Sequence, residues 1–174
     1  SALSFQTFRL IFDEYLESLP ISSELADSET RVAMIDCCVA FGRSHHDVNT
    51  SLTATGMLWS LADRDSSSET LDIVLSNLAS LSSDGRPELR NCSVNTLFSC
   101  VVGLGERFTE EQWQKSLNDT IFGVMKEIAS AINGAEDSSG VADTGGDRYK
   151  VAVHHTRNSA SKQWAATQVL AVRG

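Results

Sequence analysis

Six side chains of metal-binding type come in adjacent doublets: Cys37-Cys38, His45-His46 and His154-His155. Together they could hold zinc and serve a zinc-dependent hydrolase. Zinc sites usually space their ligands as C-x-x-C or H-x-x-x-H, so that both side chains reach one ion. Adjacent residues on a helix point in different directions, so doublets do not converge. The cysteines read instead as small apolar core residues, and His45 and His46 as a polar turn before a helix. Nucleophilic chemistry has no better footing, because the many serines include no G-x-S-x-G elbow. Gly103-Leu104-Gly105 lacks the Gly-Lys-Ser/Thr ending of a phosphate loop and is expected to be a helix C-cap. Glu110 and Glu111 fall in a helix first turn, where carboxylates favour the macrodipole. On these grounds we expect no catalytic residue, metal or cofactor, and a protein that is not an enzyme.

The elements that would position these residues are helices. Only Pro20 and Pro87 occur among 174 residues, which suits long helices, since an interior proline costs about 3 kcal/mol. Helical periodicity dominates and strand alternation is absent. A first helix is expected from Leu3 to Glu17, with Phe5, Phe8, Phe12, Tyr15 and Leu16 on one side. A second runs from Glu29 to Phe41, with Gly42 as C-cap. A third runs from Asp47 to Asp63 and buries Leu52, Thr55, Leu58 and Trp59. A fourth opens on Ser66-Ser67-Ser68-Glu69, at capping-box spacing, and buries Leu71, Val74, Leu75, Leu78 and Leu81. A fifth starts at Pro87, the favoured first-turn position for proline. A sixth opens on the capping box Thr109-Glu110-Glu111-Gln112 and carries Trp113, Leu117, Ile121, Val124, Ile128 and Ile132 as its stripe. Residues 134–157, rich in Gly, Ser and Asp, are expected to form a flexible loop. The last helix begins near Ser159, with Asn158 or Ser159 as its cap and Trp164 turned toward the core.

A repeat runs through this order. Asp84-Gly-Arg-Pro-Glu-Leu89-Arg90 has the spacing of the HEAT-repeat turn, in which the Asp caps the second helix and the Arg pairs with an Asp of a neighbouring repeat. Asp47 and Leu52 repeat the pattern 37 residues earlier, with Thr53 in place of the Arg. The start of the last helix is a weaker third copy, with the loop inserted before it. Helix two therefore pairs with three, four with five and six with seven, while helix one is the second half of an earlier pair. The expected fold is all-α, a single HEAT/armadillo-like solenoid of about seven helices over residues 1–174.

Charge and cysteines bound the partners. The formal net charge is −9, and residues 1–147 carry −14, from 9 basic against 23 acidic side chains. Nucleic acid and anionic lipid are repelled by such a surface. The basic remainder holds Arg148, Lys150, Arg157, Lys162 and Arg173, too few to overturn that expectation. Cys37, Cys38, Cys92 and Cys100 read as free thiols, since Cys92 and Cys100 would stand about 12 Å apart on one helix. Three N-x-S/T triplets, at Asn49, Asn91 and Asn118, fall in helices and read as chance matches. No apolar run approaches the ~20 residues that span a bilayer. The missing initiator methionine, and a helical pattern that runs to the last residues, lead us to expect a piece of something longer.

Two stretches carry a family resemblance. HHTRNSASKQWAAT (His154 to Thr167) resembles a motif in the C-terminal half of the Mon-two proteins, and DVNTSLTATGMLWSLAD (Asp47 to Asp63) is similar to a second block, in the same order. FQTFRLIFDEYLESLP and VNTLFSCVVGLG also fit that family's segments. The positions of Asn158, Ser161 and Ala166 are usually acidic there. The resemblance implies a large helical-repeat scaffold, related to the Sec-seven type Arf exchange factors but without the exchange domain. It implies a cytoplasmic protein, peripheral on trans-Golgi network and endosome membranes through its partners. Those implied partners are Dopey-type proteins, an Arl-type small GTPase and an aminophospholipid flippase. Self-association is a further expectation, and a generic helical-repeat adaptor of another pathway is the alternative. The candidate partner-binding residues are His154, His155, Arg157, Lys162 and Trp164.

Overall fold

The computed structural model describes residues 2–19, 28–65, 67–138 and 159–174. Its helices are α1 (Ala2–Ser18), α2 (Ser28–Arg43), α3 (Val48–Arg64), α4 (Ser68–Leu81), α5 (Pro87–Leu104), α6 (Glu110–Lys115), α7 (Phe122–Ser138) and α8 (Ala160–Arg173). A π-helical segment, Ser116–Ile121, fuses α6 to α7, so the described residues form seven rods and no strand. The chain is an all-α helical-repeat solenoid. α2 packs on α3, α4 on α5 and α7 on α8, which are the expected pairs. Between pairs, α1, α3, α5 and α8 touch in succession as one layer, and α2, α4 and the π segment as the other.

Side-chain periodicity accounts for the stacking. On α1, Phe5, Phe8 and Phe12 face inward, and Phe41 of α2 meets Phe5 edge-on at 5.0 Å and stacks on Phe8 at 5.3 Å. Leu58, Leu71, Leu78, Leu89, Leu97 and Leu104 are fully buried in one continuous core. Each such side chain contributes about 1.5–3 kcal/mol of transfer free energy.

Local signals set most helix starts. Asp47 caps α3 by accepting from the Asn49 and Thr50 amides, and Thr109 and Gln112 form a reciprocal capping box on α6. Pro87 opens α5. At α4 the cap is Ser67, which accepts from the Thr70 amide. The expected capping-box partner of Glu69, Ser66, lies outside the described residues; the Glu69 carboxylate pairs with Arg31 of α2 at 2.8 Å.

Several expectations are corrected by packing. Gly42 does not end α2, which runs on to Arg43. It is buried within the helix, where a Cβ would stand 3.4 Å from Thr55 Oγ1 and 3.7 Å from Leu81, ordinary contact distances. Gly103 and Gly105 seat tryptophan rings: a Cβ would come within 2.6 Å of Trp59 at the first and of Trp113 at the second. Gly105 does follow the last residue of α5, but in right-handed geometry (φ −57°, ψ −30°), so ring contact rather than a left-handed turn accounts for it. Leu117 is 39% exposed while Ser116 is buried. The π turn, in which the Phe122 amide donates to the Leu117 carbonyl, inserts one residue and rotates the stripe. Buried positions therefore fall at Gln112, Ser116, Ile121, Val124 and Ile128. Finally, α7 continues through residues 134–138, where a loop was expected, and the remainder of that segment lies outside the described residues.

Candidate docking site: repeat staples, the last helix and a cleft

Three arginines join the repeats. Arg31 of α2 is buried and donates to Asp65 at 2.8 Å, just past α3, and to Glu69 of α4 at 2.8 Å. Asp65 also accepts from Thr70 Oγ1 at 2.8 Å and from the Ser67 amide at 3.1 Å. Burial alone would raise the Asp65 carboxyl. The hydrogen bonds from Thr70 and Ser67, with the charge of Arg31, outweigh it and hold the group below its ordinary value.

The second staple is Arg86, in the α4–α5 turn. Its guanidinium is held by Asp84 at 2.9 and 3.1 Å and reaches back to the preceding turn. There it donates to the carbonyls of Ser44 at 2.7 Å and Gly42 at 3.0 Å and to Ser51 Oγ at 3.2 Å. Hydrogen bonding to Arg86 keeps the Asp84 carboxyl low, against the opposing pull of burial. Asp84 thus orients Arg86 and does not cap α5, whose cap position is Arg86 itself. The repeat signature singled out Asp84, Leu89 and Arg90 but not Arg86. The bidentate spacing of two residues was the signal available.

Arg90 is the third. Only 1% exposed, it donates through Nε to Thr167 Oγ1 at 3.0 Å and through a terminal nitrogen to the Asp84 and Gly85 carbonyls at 2.9 and 3.3 Å. Its guanidinium carbon lies 3.7 Å from the centre of the Trp164 ring. Among the described residues it pairs with no carboxylate of a neighbouring repeat, in contrast to the signature's usual pattern. Burial lowers its pKa, opposed by the charges of Asp84 and Glu88. Thr167 Oγ1 lies 2.6 Å from Asn91 Oδ1, to which it donates. Trp164 and Thr167 therefore dock α8 on α5.

The other candidates scatter. Asp47 caps α3 at an exposed turn, Leu52 is half-buried on α3 and Leu89 is fully buried on α5. Lys162 is exposed on α8. His154, His155 and Arg157 lie outside the described residues. Ser159 occupies the cap position of α8, but its side chain makes no cap bond. Cys38 and Cys100 are buried thiols pushed up to about 12 by desolvation, and all four cysteines are free. Among the described residues no group of three or more His, Cys, Asp or Glu could hold a metal ion, and no helix is long and apolar enough to cross a membrane.

One cleft of about 660 Å³ opens between α4 and the α6–π–α7 rod. Lys115 crosses it to Asp72 at 2.5 Å, and Ser83 donates to Glu127. Asp119 and Thr120 line it from the π turn.

A family described as the C-terminal region of Mon2 protein matches residues 69–174. The chain belongs to the Mon2 family. It is 26% identical to the Protein MON2 homolog of Drosophila melanogaster, over 98% of this chain and 11% of that protein. It is 23% identical to the Homo sapiens homolog, over 98% of this chain and 12% of that protein. The Monensin-resistant homolog 2 of Caenorhabditis elegans is 20% identical, over 91% and 9%. The chain thus spans roughly a tenth of the length of these Mon2 relatives (9–12%). No solved structure matches it significantly. The Mon2 match opens at Glu69, the residue that Arg31 holds, and includes Arg86, Arg90, Trp164 and Thr167.

Proposed function

We propose that this chain is a non-catalytic segment of a Mon2 scaffold in endosome-to-Golgi membrane traffic, and that it works by holding protein partners. The observation that carries the reading is how its buried polar groups are used. Arg31, Asp65 and Arg90 each join one helix or turn to another, and Arg86 joins one repeat turn to the next. Such a stack of repeats presents extended, helix-lined surfaces on which partners can dock. Membership of the Mon2 family supports the same conclusion. The proposed partners are a Dopey-type protein, an Arl-type small GTPase and an aminophospholipid flippase. The proposed site of action is the cytoplasmic face of trans-Golgi network and endosome membranes, reached through those partners.

The test is capture by the purified chain of each partner, purified in turn, measured by biolayer interferometry. Saturable binding of a Dopey-type protein is expected. Absence of binding to all three partners at micromolar concentration overturns the reading.

A further inference from the structure

Resting on that scaffold reading, we infer that the cleft between α4 and the α6–π–α7 rod is a docking groove for an extended basic segment of a protein partner, with lysine or arginine alternating with apolar residues.

Its floor and rim have different chemistry. Apolar side chains including Leu75, Ala79 and Val124 line the groove alongside three carboxylates, Asp72, Asp119 and Glu127. Among the described lining residues the one cation is Lys115, which is held by Asp72 and also lies in the field of Asp119. Arg43 donates to Ser80 at 2.9 Å but does not line the groove. The lining is therefore net negative, and Asp119 accepts no hydrogen bond among the described residues. Positive charge from outside is what would complement it.

The π turn makes the groove. Its extra residue turns Ser116, Asp119 and Thr120 into the lining and sends Leu117 outward. π turns recur at functional sites. Gly123, the next lining position along α7, would have nothing within 4 Å of a Cβ, so packing does not account for the glycine, and it leaves the groove open.

Length fits a strand-like peptide. From Asp72 to Ser83, α4 and the turn after it span roughly 16 Å, about five residues of extended chain. Side chains of such a peptide alternate in direction, so every second residue would face the apolar floor while its neighbours meet the acidic rim.

The test is fluorescence anisotropy of the 174-residue chain with a fluorescein-labelled peptide alternating lysine and leucine, against one alternating glutamate and leucine. Because the whole chain is acidic, the decisive comparison is between two variants of equal charge. Asp119→Lys should weaken the lysine peptide by about tenfold or more, while Glu106→Lys, exposed and outside the groove, leaves it within about twofold. Both should keep the parent melting temperature. Equal weakening by the two variants, no binding of the lysine peptide, or equal binding of the glutamate peptide overturns the proposal. A chain that fails here yet captures the Dopey-type protein loses the groove and keeps the scaffold reading. A chain that captures none of the three partners loses the scaffold reading whatever the peptides do.

Discussion

Thr167→Val isolates the hydrogen bond on which the last helix is seated. Valine has nearly threonine's volume, so no cavity opens, although its second methyl, set where the hydroxyl stood 2.6 Å from Asn91 Oδ1, pushes that half-buried amide aside. What disappears is one oxygen, fully buried, that accepts from Arg90 Nε at 3.0 Å and donates to Asn91. Asn91 is half-buried, and water can replace its lost donor. Arg90 has no such recourse. Among the described residues one of its terminal nitrogens already has no acceptor, and the variant strands Nε beside it. A buried charged donor left without its acceptor costs about 2–3 kcal/mol, a large share of the ~5–15 kcal/mol that a domain has. Urea unfolding followed by circular dichroism reads the loss, and limited proteolysis reads early release of α8. Thr167→Ser keeps the oxygen and should cost only about 1 kcal/mol, for the lost methyl. Thr53→Val, at an exposed position of α3 where the hydroxyl donates to the Asn49 carbonyl, should stay within about 0.5 kcal/mol. If Thr167→Val matches the parent, or Thr167→Ser is equally damaging, the clamp does not work through that oxygen.

Three further outcomes follow from the same geometry. Asp65→Ala leaves Arg31 buried with only the half-solvated Glu69 and should cost about 3–5 kcal/mol in urea unfolding. Gly56→Ala, with nothing within 4 Å of the new Cβ in mid-α3, should stabilise by about 0.5–1 kcal/mol; Gly105→Ala drives a methyl into the Trp113 ring and should destabilise by about 1–3 kcal/mol, both read as thermal midpoints. Asp65 and Asp84 have folded pKa values below their unfolded ones, so the stability they contribute is complete above the unfolded value near 4 and is lost as pH falls through the folded one. The melting temperature should be flat from about pH 8 to 5 and drop below about pH 4, with a shallower drop in Asp65→Asn.

Much of the fold was legible because its signals are local. The stripe on α4 and the caps at Asp47 and Thr109 depend on residues within two turns of each other, and the 37-residue offset between Asp47 and Asp84 pairs the helices. Signals that depend on another repeat were not legible. Glu69 has capping-box spacing, but its carboxylate is met by Arg31, 38 positions earlier, a partner that local spacing does not reveal. Gly103 and Gly105 match a C-cap pattern, and only the neighbouring tryptophans reveal why a side chain is excluded. The apolar period of the sixth rod is compatible with an unbroken α-helix, so nothing in it announces the π turn that turns Leu117 out. Of the proposed docking residues, Trp164 stood out in the sequence as part of a motif. Its partner Arg90 stood out for a different reason, as a repeat-turn arginine, and their meeting is a property of the stack.

The choice of acceptors explains how such a stack can hold while its sequence varies. An arginine that pairs with a carboxylate constrains two positions, as Arg31 and Asp65 do. Arg86 and Arg90 also land on main-chain carbonyls, those of Gly42 and Ser44 for one and of Asp84 and Gly85 for the other. A carbonyl is present whatever the side chain, so each staple constrains its own position and the path of the turn it reaches. The planar, five-donor fork is what allows this, since Arg86 holds Asp84 and two carbonyls at once, and a lysine's single ammonium nitrogen could not span them. Repeat contacts built in this way fix the spacing of successive turns and leave the side chains on the outer faces free to differ. That is the division of labour a docking rod requires, with geometry set by the turns and recognition set by whatever the exposed helices and the groove between them present.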